Sequence, residues 1–220
     1  MAGRHRPAGT AGGPPVSRGA DPPHRPSPHD HLRIPRRGVT GGSMASSTSD
    51  TRHPGPPMLR ECLRDDVAAI REIFNEVILT SAALFEYEPR SYETVAAWLD
   101  AKQSAGLPVI GAVDEAGRLA GFATYGSFRP FAAYRLTVEH SVYVHAESRG
   151  RGVGRALLAA VIEEARRQGM HLMVGGIEAG NAASRELHRS LGFIHAGTIR
   201  EAGRKFDRWL DLEFWQKPLS

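Results

Sequence analysis

Arg149-Gly150-Arg151-Gly152-Val153-Gly154 stands between a β-patterned run, Val138 to Val144, and an amphipathic helical run that begins near Arg155. A strand, a glycine loop and a helix in that order restrict this part of the chain to an α/β unit whose loop faces an anion. Alternate glycines lack Cβ atoms, so the backbone turns tightly and brings N–H groups against a ligand. The free amides and dipole of the following helix favour negative charge in the same place. Arg149, Arg151 and Arg155 add formal positive charge, and the stretch reads as a diphosphate-binding turn rather than a bare surface loop. A P-loop would end in Gly-Lys-Ser/Thr, whereas Gly154 is followed by Arg155 and Ala156. The dinucleotide spacing G-x-G-x-x-G fails in both frames, its third position falling on Arg155 or on Leu157.

What fits is Arg/Gln-x-x-Gly-x-Gly/Ala, and here the chain resembles the GNAT N-acetyltransferase superfamily, whose members bind the pyrophosphate of acetyl-CoA with this loop. Four further stretches sharpen the likeness: Thr137 to Val144 (TVEHSVYV), Gly180 to Ser184 (GNAAS), Leu191-Gly192-Phe193, and Gly203 to Leu212 (GRKFDRWLDL). Together, across essentially all of residues 59–220, they resemble the phosphinothricin and methionine sulfoximine N-acetyltransferase group. That resemblance implies acetyl-CoA as donor, a small glutamate- or methionine-like α-amine as acceptor, and a homodimer.

Residues 1–58 differ in kind from the rest. They hold eleven of the fifteen prolines and nine glycines, with no Phe, Tyr, Trp or Glu. Such a segment buries too little apolar surface to offset its ordering entropy, which predicts a disordered tail followed by one domain over residues 59–220. A translation start at Met44 or Met58 is the other expectation for this segment. Its eight arginines and three aspartates account for the whole-chain charge of +4 and leave residues 59–220 close to neutral. The arginines are scattered among prolines with no aromatic residue for base stacking, so no specific nucleic-acid binding is expected. No apolar run approaches a membrane span and no signal-peptide core is present, which predicts a cytoplasmic protein. Cys62 is the single cysteine, so an internal disulfide and a multi-cysteine metal site are excluded. His145, His171 and His188 are isolated, and no metal is expected.

The periodicities give the element order. Leu59 to Leu63 reads as a strand with Cys62 buried in it. Asp65 or Asp66 then caps a helix with Val67, Ile70, Phe74, Val77 and Ile78 on one face. An irregular or extended stretch runs through Thr80 to Tyr87. Ser91 opens a helix that places Val95, Trp98 and Leu99 toward the core and ends at Gly106. Strands follow at Pro108 to Val113, Leu119 to Tyr125 and Leu136 to Val144, then the glycine loop and its helix. Leu172 to Ile177 is a short buried strand, Asn181 begins another helix, and Phe193 to Thr198 and Trp209 to Trp215 are the last strands. This β-α-α-β-β-β-α-β-α-β-β order is the GNAT order and predicts an α/β fold: a mixed central β-sheet flanked by helices, with one parallel pair around the glycine loop.

Acetyl transfer to an amine requires a neutral amine, a polarised thioester carbonyl and a proton for the departing thiolate. Glu139 is the candidate general base, a role that contributes about 10²–10⁴ in rate. The ordinary alternative is a glutamate paired with a nearby Arg or Lys. His140 is its rival, and on a regular strand the two point to opposite faces. By the family pattern, backbone groups of Val142, Tyr143 and Val144 hold the pantetheine arm as an added strand would, Arg149 through Arg155 hold the pyrophosphate, and Asn181 caps its helix and reaches the cofactor. Arg129-Pro130-Phe131 resembles the group's substrate-contacting turn, with Arg129 gripping an acidic group and Phe131 walling the pocket; His140 and Ser141 complete the acceptor contacts. Lys205 and Arg208 read as an exposed hairpin, or as anion contacts from a neighbouring subunit.

Many GNAT enzymes carry an acid tyrosine in the helix after Asn181, whereas this chain reads Glu186-Leu187-His188 there, leaving the acid open between His188 and no assignment. Protein N-termini or polyamines as acceptors, and a noncatalytic acetyl-CoA-binding module, are the alternative functions.

Overall fold

The computed structural model describes residues 57–219. The expected disorder of residues 1–58, and the alternative start at Met44, fall almost wholly outside those residues. The chain runs β1 (Met58–Glu61), α1 (Val67–Thr80), α2 (Tyr92–Ser104), β2 (Val109–Val113), β3 (Leu119–Ser127), β4 (Thr137–Val144), α3 (Val153–Arg167), β5 (Leu172–Glu178), α4 (Ala182–Ser190), β6 (Ile194–Lys205) and β7 (Arg208–Pro218). The order is the one expected.

All seven strands form one sheet in the order β1-β2-β3-β4-β5-β7-β6. Every pairing is antiparallel except β4 with β5, which run parallel because α3 carries the chain back across the sheet between them. That parallel pair is short. It runs from Thr137 beside Leu172 to His140 beside Gly175, after which β4 continues to Val144 and β5 to Glu178 without pairing to each other.

Two cores form on the two faces. On one, α3 packs across β2, β3 and β4 through Val153, Leu157, Leu158, Val161, Ile162 and Ala165, against Tyr125, Val138, Met173 and Phe193. The spacing is the i, i+4, i+5, i+8 stripe of an amphipathic helix. Burying each leucine contributes about 1.5–3 kcal/mol. On the other face, α1 and α2 cover β2 and β3 through Ile70, Ile73, Phe74, Val95 and Leu99. Phe74, Trp98, Phe122 and Tyr143 form an aromatic cluster there, with the Phe74 and Phe122 rings 4.9 Å apart and edge-to-face. Trp98 is packing, as its helical spacing suggested.

Several boundaries differ from expectation. β1 ends at Glu61, so Cys62 sits just past it, wholly buried, and desolvation pushes its thiol up to about 12. Asp66 does not cap α1 with its side chain. Its carboxylate instead takes two Arg60 N–H bonds, at 2.6 and 2.7 Å, and the Leu63 amide at 2.7 Å, closing a 3-10 turn over Arg64–Asp66 ahead of the helix. The helix after the glycine loop begins at Val153, two residues before Arg155, because Val153 is already a core residue. The last two strands are far longer than expected and meet in a two-residue turn, Phe206-Asp207, with φ of 49° and 56°. Most of β6 is exposed, so it lacks the apolar alternation by which a strand is recognised.

Candidate active site

Where β4 and β5 part, a cavity of about 360 Å³ opens between them. Ser141, Val142, Tyr143 and Val144 line it from β4, and Gly176, Ile177 and Glu178 from β5. β3 pairs with β4 along its other edge, and β7 does the same for β5. The two strand edges that face the cavity are therefore the ones not used in the sheet, and their amides and carbonyls suit an extended amide-rich chain.

The glycine loop closes one end. Gly150 and Gly152 adopt φ of 75° and 79°, a left-handed backbone that L side chains resist, although the space beside both is open. The constraint at these positions is thus conformational. Gly152 is the N-cap of α3 and supplies no side-chain cap, leaving the first-turn amides free of side-chain acceptors and the positive dipole end turned to the loop. These observations fit a pyrophosphate. The six residues of the loop are not equivalent, however. Gly154 and Arg149 line the cavity. The Val153 side chain is buried in the core, which leaves only its backbone for a ligand. Arg149 pairs with Glu76 of α1 and donates from Nε to Val144 O at 3.2 Å. Arg155 donates to Ser190 Oγ at 2.6 Å, tying α3 to α4, and Arg151 is exposed. Asn181 lines the cavity while its Oδ1 accepts from the Ser184 amide at 3.0 Å, so it caps α4 from the cavity wall.

Glu139 and His140 do point to opposite faces, with no bulge between them. Two consecutive glycines on the neighbouring strand make room for each. A Cβ on Gly175 would meet His140 Nε2 at 2.7 Å and His188 Nε2 at 3.0 Å, and a Cβ on Gly176 would meet Glu139 Oε1 at 3.1 Å. Burial holds the Glu139 carboxyl above the usual carboxylate range, opposed by the Arg129 guanidinium 3.9 Å away. Glu139 does not itself line the cavity, whereas His140 does; its carboxylate sits behind Gly176 of the wall, and a half-buried carboxylate of raised pKa there is suited to accept a proton. Arg129 itself lies over the Phe128 ring at 4.1 Å and donates to Phe128 O at 2.7 Å. None of Arg129, Pro130 and Phe131 lines the cavity: past Phe128 the chain turns outward through a 3-10 turn over Ala132–Tyr134, and Phe131 is 69% exposed.

His140 is 6% exposed and lines the cavity with His188. Its ring is pushed down to about 3, first by desolvation and then by His188. His188 is also lowered by desolvation, opposed by its bond to the Ser184 carbonyl. His188 is thus a buried wall residue of the cavity. Lys205 departs from expectation too. It is buried and donates to three backbone carbonyls, so it offers no anion contact, while Arg208 lies 3.7 Å from Glu178. The sequence reading missed the His140–His188 pair and Glu178; the glycine doublet within a short strand is the signal for the first, since interior glycines mark close approach. Among the described residues no group of three His, Cys, Asp or Glu is placed to hold a metal, and no helix is long and apolar enough to cross a membrane.

The glycine loop at a helix N-terminus, set in the parting of a parallel strand pair, defines an acetyltransferase fold. The model of the acetyltransferase (GNAT) family matches residues 68–193, and the chain belongs to that family of enzymes. It is 48% identical over 155 residues to the L-methionine sulfoximine/L-methionine sulfone acetyltransferase of Pseudomonas paraeruginosa, a match covering 70% of this chain and 90% of that protein. It is 36% identical over 157 residues to the phosphinothricin N-acetyltransferase of Alcaligenes faecalis, covering 71% and 79%. The solved structure of yncA from Salmonella typhimurium with its cofactor acetyl-CoA matches with a TM-score of 0.73 at 44% identity, over 76% of this chain and 95% of that one.

Proposed function

We propose that this enzyme transfers the acetyl group of acetyl-CoA directly to the α-amino group of a small amino-acid-like acceptor of the methionine sulfoximine, methionine sulfone or phosphinothricin type, with Glu139 as general base. The observation that carries the reading is Glu139 itself: a carboxyl raised by burial, 3.9 Å from an arginine, its tip against Gly176 of the cavity wall. The names and high identity of the relatives supply the acceptor class.

In this reading the first-turn amides of α3 and the backbone of Gly150 and Gly152 hold the pyrophosphate, and the free edge of Val142–Val144 aligns the pantetheine arm. Arg129 pairs with the acidic group of the acceptor and keeps Glu139 from rising further. Glu139 takes a proton from the acceptor ammonium, the neutral amine attacks the acetyl carbon, a C–N bond forms and the C–S bond breaks. The remaining surplus proton on nitrogen passes to the departing sulfur, so the balance closes without an outside acid. Cys62 is unsuited to an acyl-enzyme route, being buried and pushed up to about 12. A homodimer is part of the proposal: Ile199, Phe206 and Trp209 leave large apolar surface exposed on the β6–β7 hairpin. Sedimentation or light scattering of the full chain tests it.

Thiol release by the full chain, given acetyl-CoA with phosphinothricin, methionine sulfoximine, methionine sulfone, spermidine or N-terminal peptides, tests the activity. Turnover restricted to the first three supports the reading. Turnover of peptides or spermidine alone replaces the acceptor, and binding of acetyl-CoA with no turnover replaces the enzyme with a binding module.

A further inference from the structure

The segment that follows α1 has neither helix nor strand from Ser81 to Ser91, yet the far end of the chain holds it at three points. Lys205, the last residue of β6, is 4% exposed. Its ammonium donates to Ile78 O at 2.6 Å, Ser81 O at 2.8 Å and Leu84 O at 2.8 Å. Three N–H groups meet three carbonyls, so the donor capacity of the ammonium is filled. Ile78 lies in the last turn of α1, where carbonyls lack partners inside the helix and the dipole presents partial negative charge; a cation is favoured there. Tyr87 adds a second tether, its hydroxyl donating to Arg204 O. The third is Phe85, whose ring lies so close to Gly203 that a Cβ there would come within 2.5 Å of it.

The same segment reaches the cavity. Ser81 and Ala83, with Val77 of α1, line it together with Ser141 and Tyr143, which by strand alternation share a β4 face with Glu139. A buried charge is costly unless fully hydrogen-bonded, and an irregular segment has no internal ladder to define its path. The hairpin supplies what both lack.

We propose that Lys205 is a positioning residue for the acceptor subsite: by clamping the carbonyls of Ile78, Ser81 and Leu84 it sets the wall against which the acceptor's side chain rests, while touching no reacting atom. The proposal rests on the acetyl-transfer reading for its substrate and on the clamp geometry for its structure, and the two are tested separately.

The full chain is compared with its Lys205→Met, Lys205→Arg and Tyr87→Phe variants in steady-state kinetics with L-methionine sulfone and acetyl-CoA, and in amide hydrogen exchange. Lys205→Met raises the acceptor KM about tenfold, as a small misplacement of a subsite does, with the KM for acetyl-CoA little changed. Amides of residues 81–88 exchange faster in it while those of α3 keep their protection. Lys205→Arg recovers most of the acceptor affinity, and Tyr87→Phe, an exposed change that leaves the core intact, shifts acceptor KM and exchange in the same direction by less. An unchanged acceptor KM in both Lys205→Met and Tyr87→Phe overturns the proposal, as does an equal rise in both substrates' KM. If the wild-type chain acetylates no acceptor, the acetyl-transfer reading fails on its own, and exchange decides the clamp: unaltered protection of residues 81–88 in Lys205→Met overturns it.

Discussion

The Nε2 atoms of His140 and His188 lie 3.0 Å apart, joining β4 to α4 beneath the cavity. His188 Nδ1 is 2.6 Å from the Ser184 carbonyl, which only accepts, so that nitrogen carries the proton. Neutral His188 then offers a lone pair at Nε2, and His140 must donate to it. His140 Nδ1 is left as an unprotonated acceptor, buried and without a partner among the described residues. The pair is a neutral link with one proton between two rings.

This arrangement makes stability depend on pH. His140 is pushed from 6.5 to about 3 in the folded state, so below about pH 6.5 the unfolded chain binds a proton that the native chain refuses. The stabilisation is complete above that value and declines as pH falls toward about 3, by up to ~1.4 kcal/mol per pH unit. Urea unfolding near neutral pH and at about pH 5 is expected to differ by about 2 kcal/mol from this group alone. His140→Gln reduces the difference; an unreduced difference would assign the pH dependence to other groups.

The two glycines of β5 predict separable defects. In Gly175→Ala the new Cβ would lie 2.7 Å from His140 Nε2, so the histidine pair must shift. Overpacking of this kind costs about 1–3 kcal/mol, read as a lower Tm. In Gly176→Ala the Cβ would lie 3.1 Å from Glu139 Oε1, at the tip of a partly exposed side chain that can swing aside. Thermal stability changes little there, while kcat is expected to fall about tenfold or more because the proposed base is moved. Melting curves and kinetics of both variants check the pair of outcomes.

Glu139→Gln is expected to lower kcat/KM by about 10²-fold or more, with acetyl-CoA affinity retained. With Glu139 as the proposed base, the acidic limb of the wild-type kcat/KM profile is expected above the ordinary carboxylate range, since burial raises its pKa. Removing the opposing guanidinium in Arg129→Gln moves that limb to higher pH as well as raising acceptor KM. A limb that stays in place would detach Arg129 from Glu139.

Gly152→Ala forces a side chain into a φ of 79°, which costs about 1–2 kcal/mol in backbone strain. The loop relaxes away from that geometry, and the Kd for acetyl-CoA measured by calorimetry rises about tenfold. Because space beside Gly152 is open, the stability of the core is expected to hold.

Much of the fold was legible because its signals are local. The α3 stripe, the caps Ser91 and Asn181, and the glycine loop each announce themselves within a few residues, and each is found where its pattern puts it. The strand expected over Phe193 to Thr198 is the first half of β6; its extension to Lys205 was not legible, because most of its residues are exposed, alternation disappears and only pairing with β7 makes it a strand. Asp66 misled for a related reason. An aspartate before a helix reads as a cap, but Arg60, six residues earlier, competes for the carboxylate with two charge-assisted bonds.

The sequence by itself determined the order of elements, the glycine loop at the start of α3 and the strand that carries Glu139, because hydrophobic period, glycine conformation and capping act over one or two turns of chain. Only the tertiary structure decided which side chains meet. His140 reaches His188 across 48 residues and Lys205 reaches Ile78 across 127. Such meetings depend on strand register and on how each helix lies on the sheet. Packing of the whole chain decides those, so a buried lysine and an exposed one carry the same letter in the same local pattern.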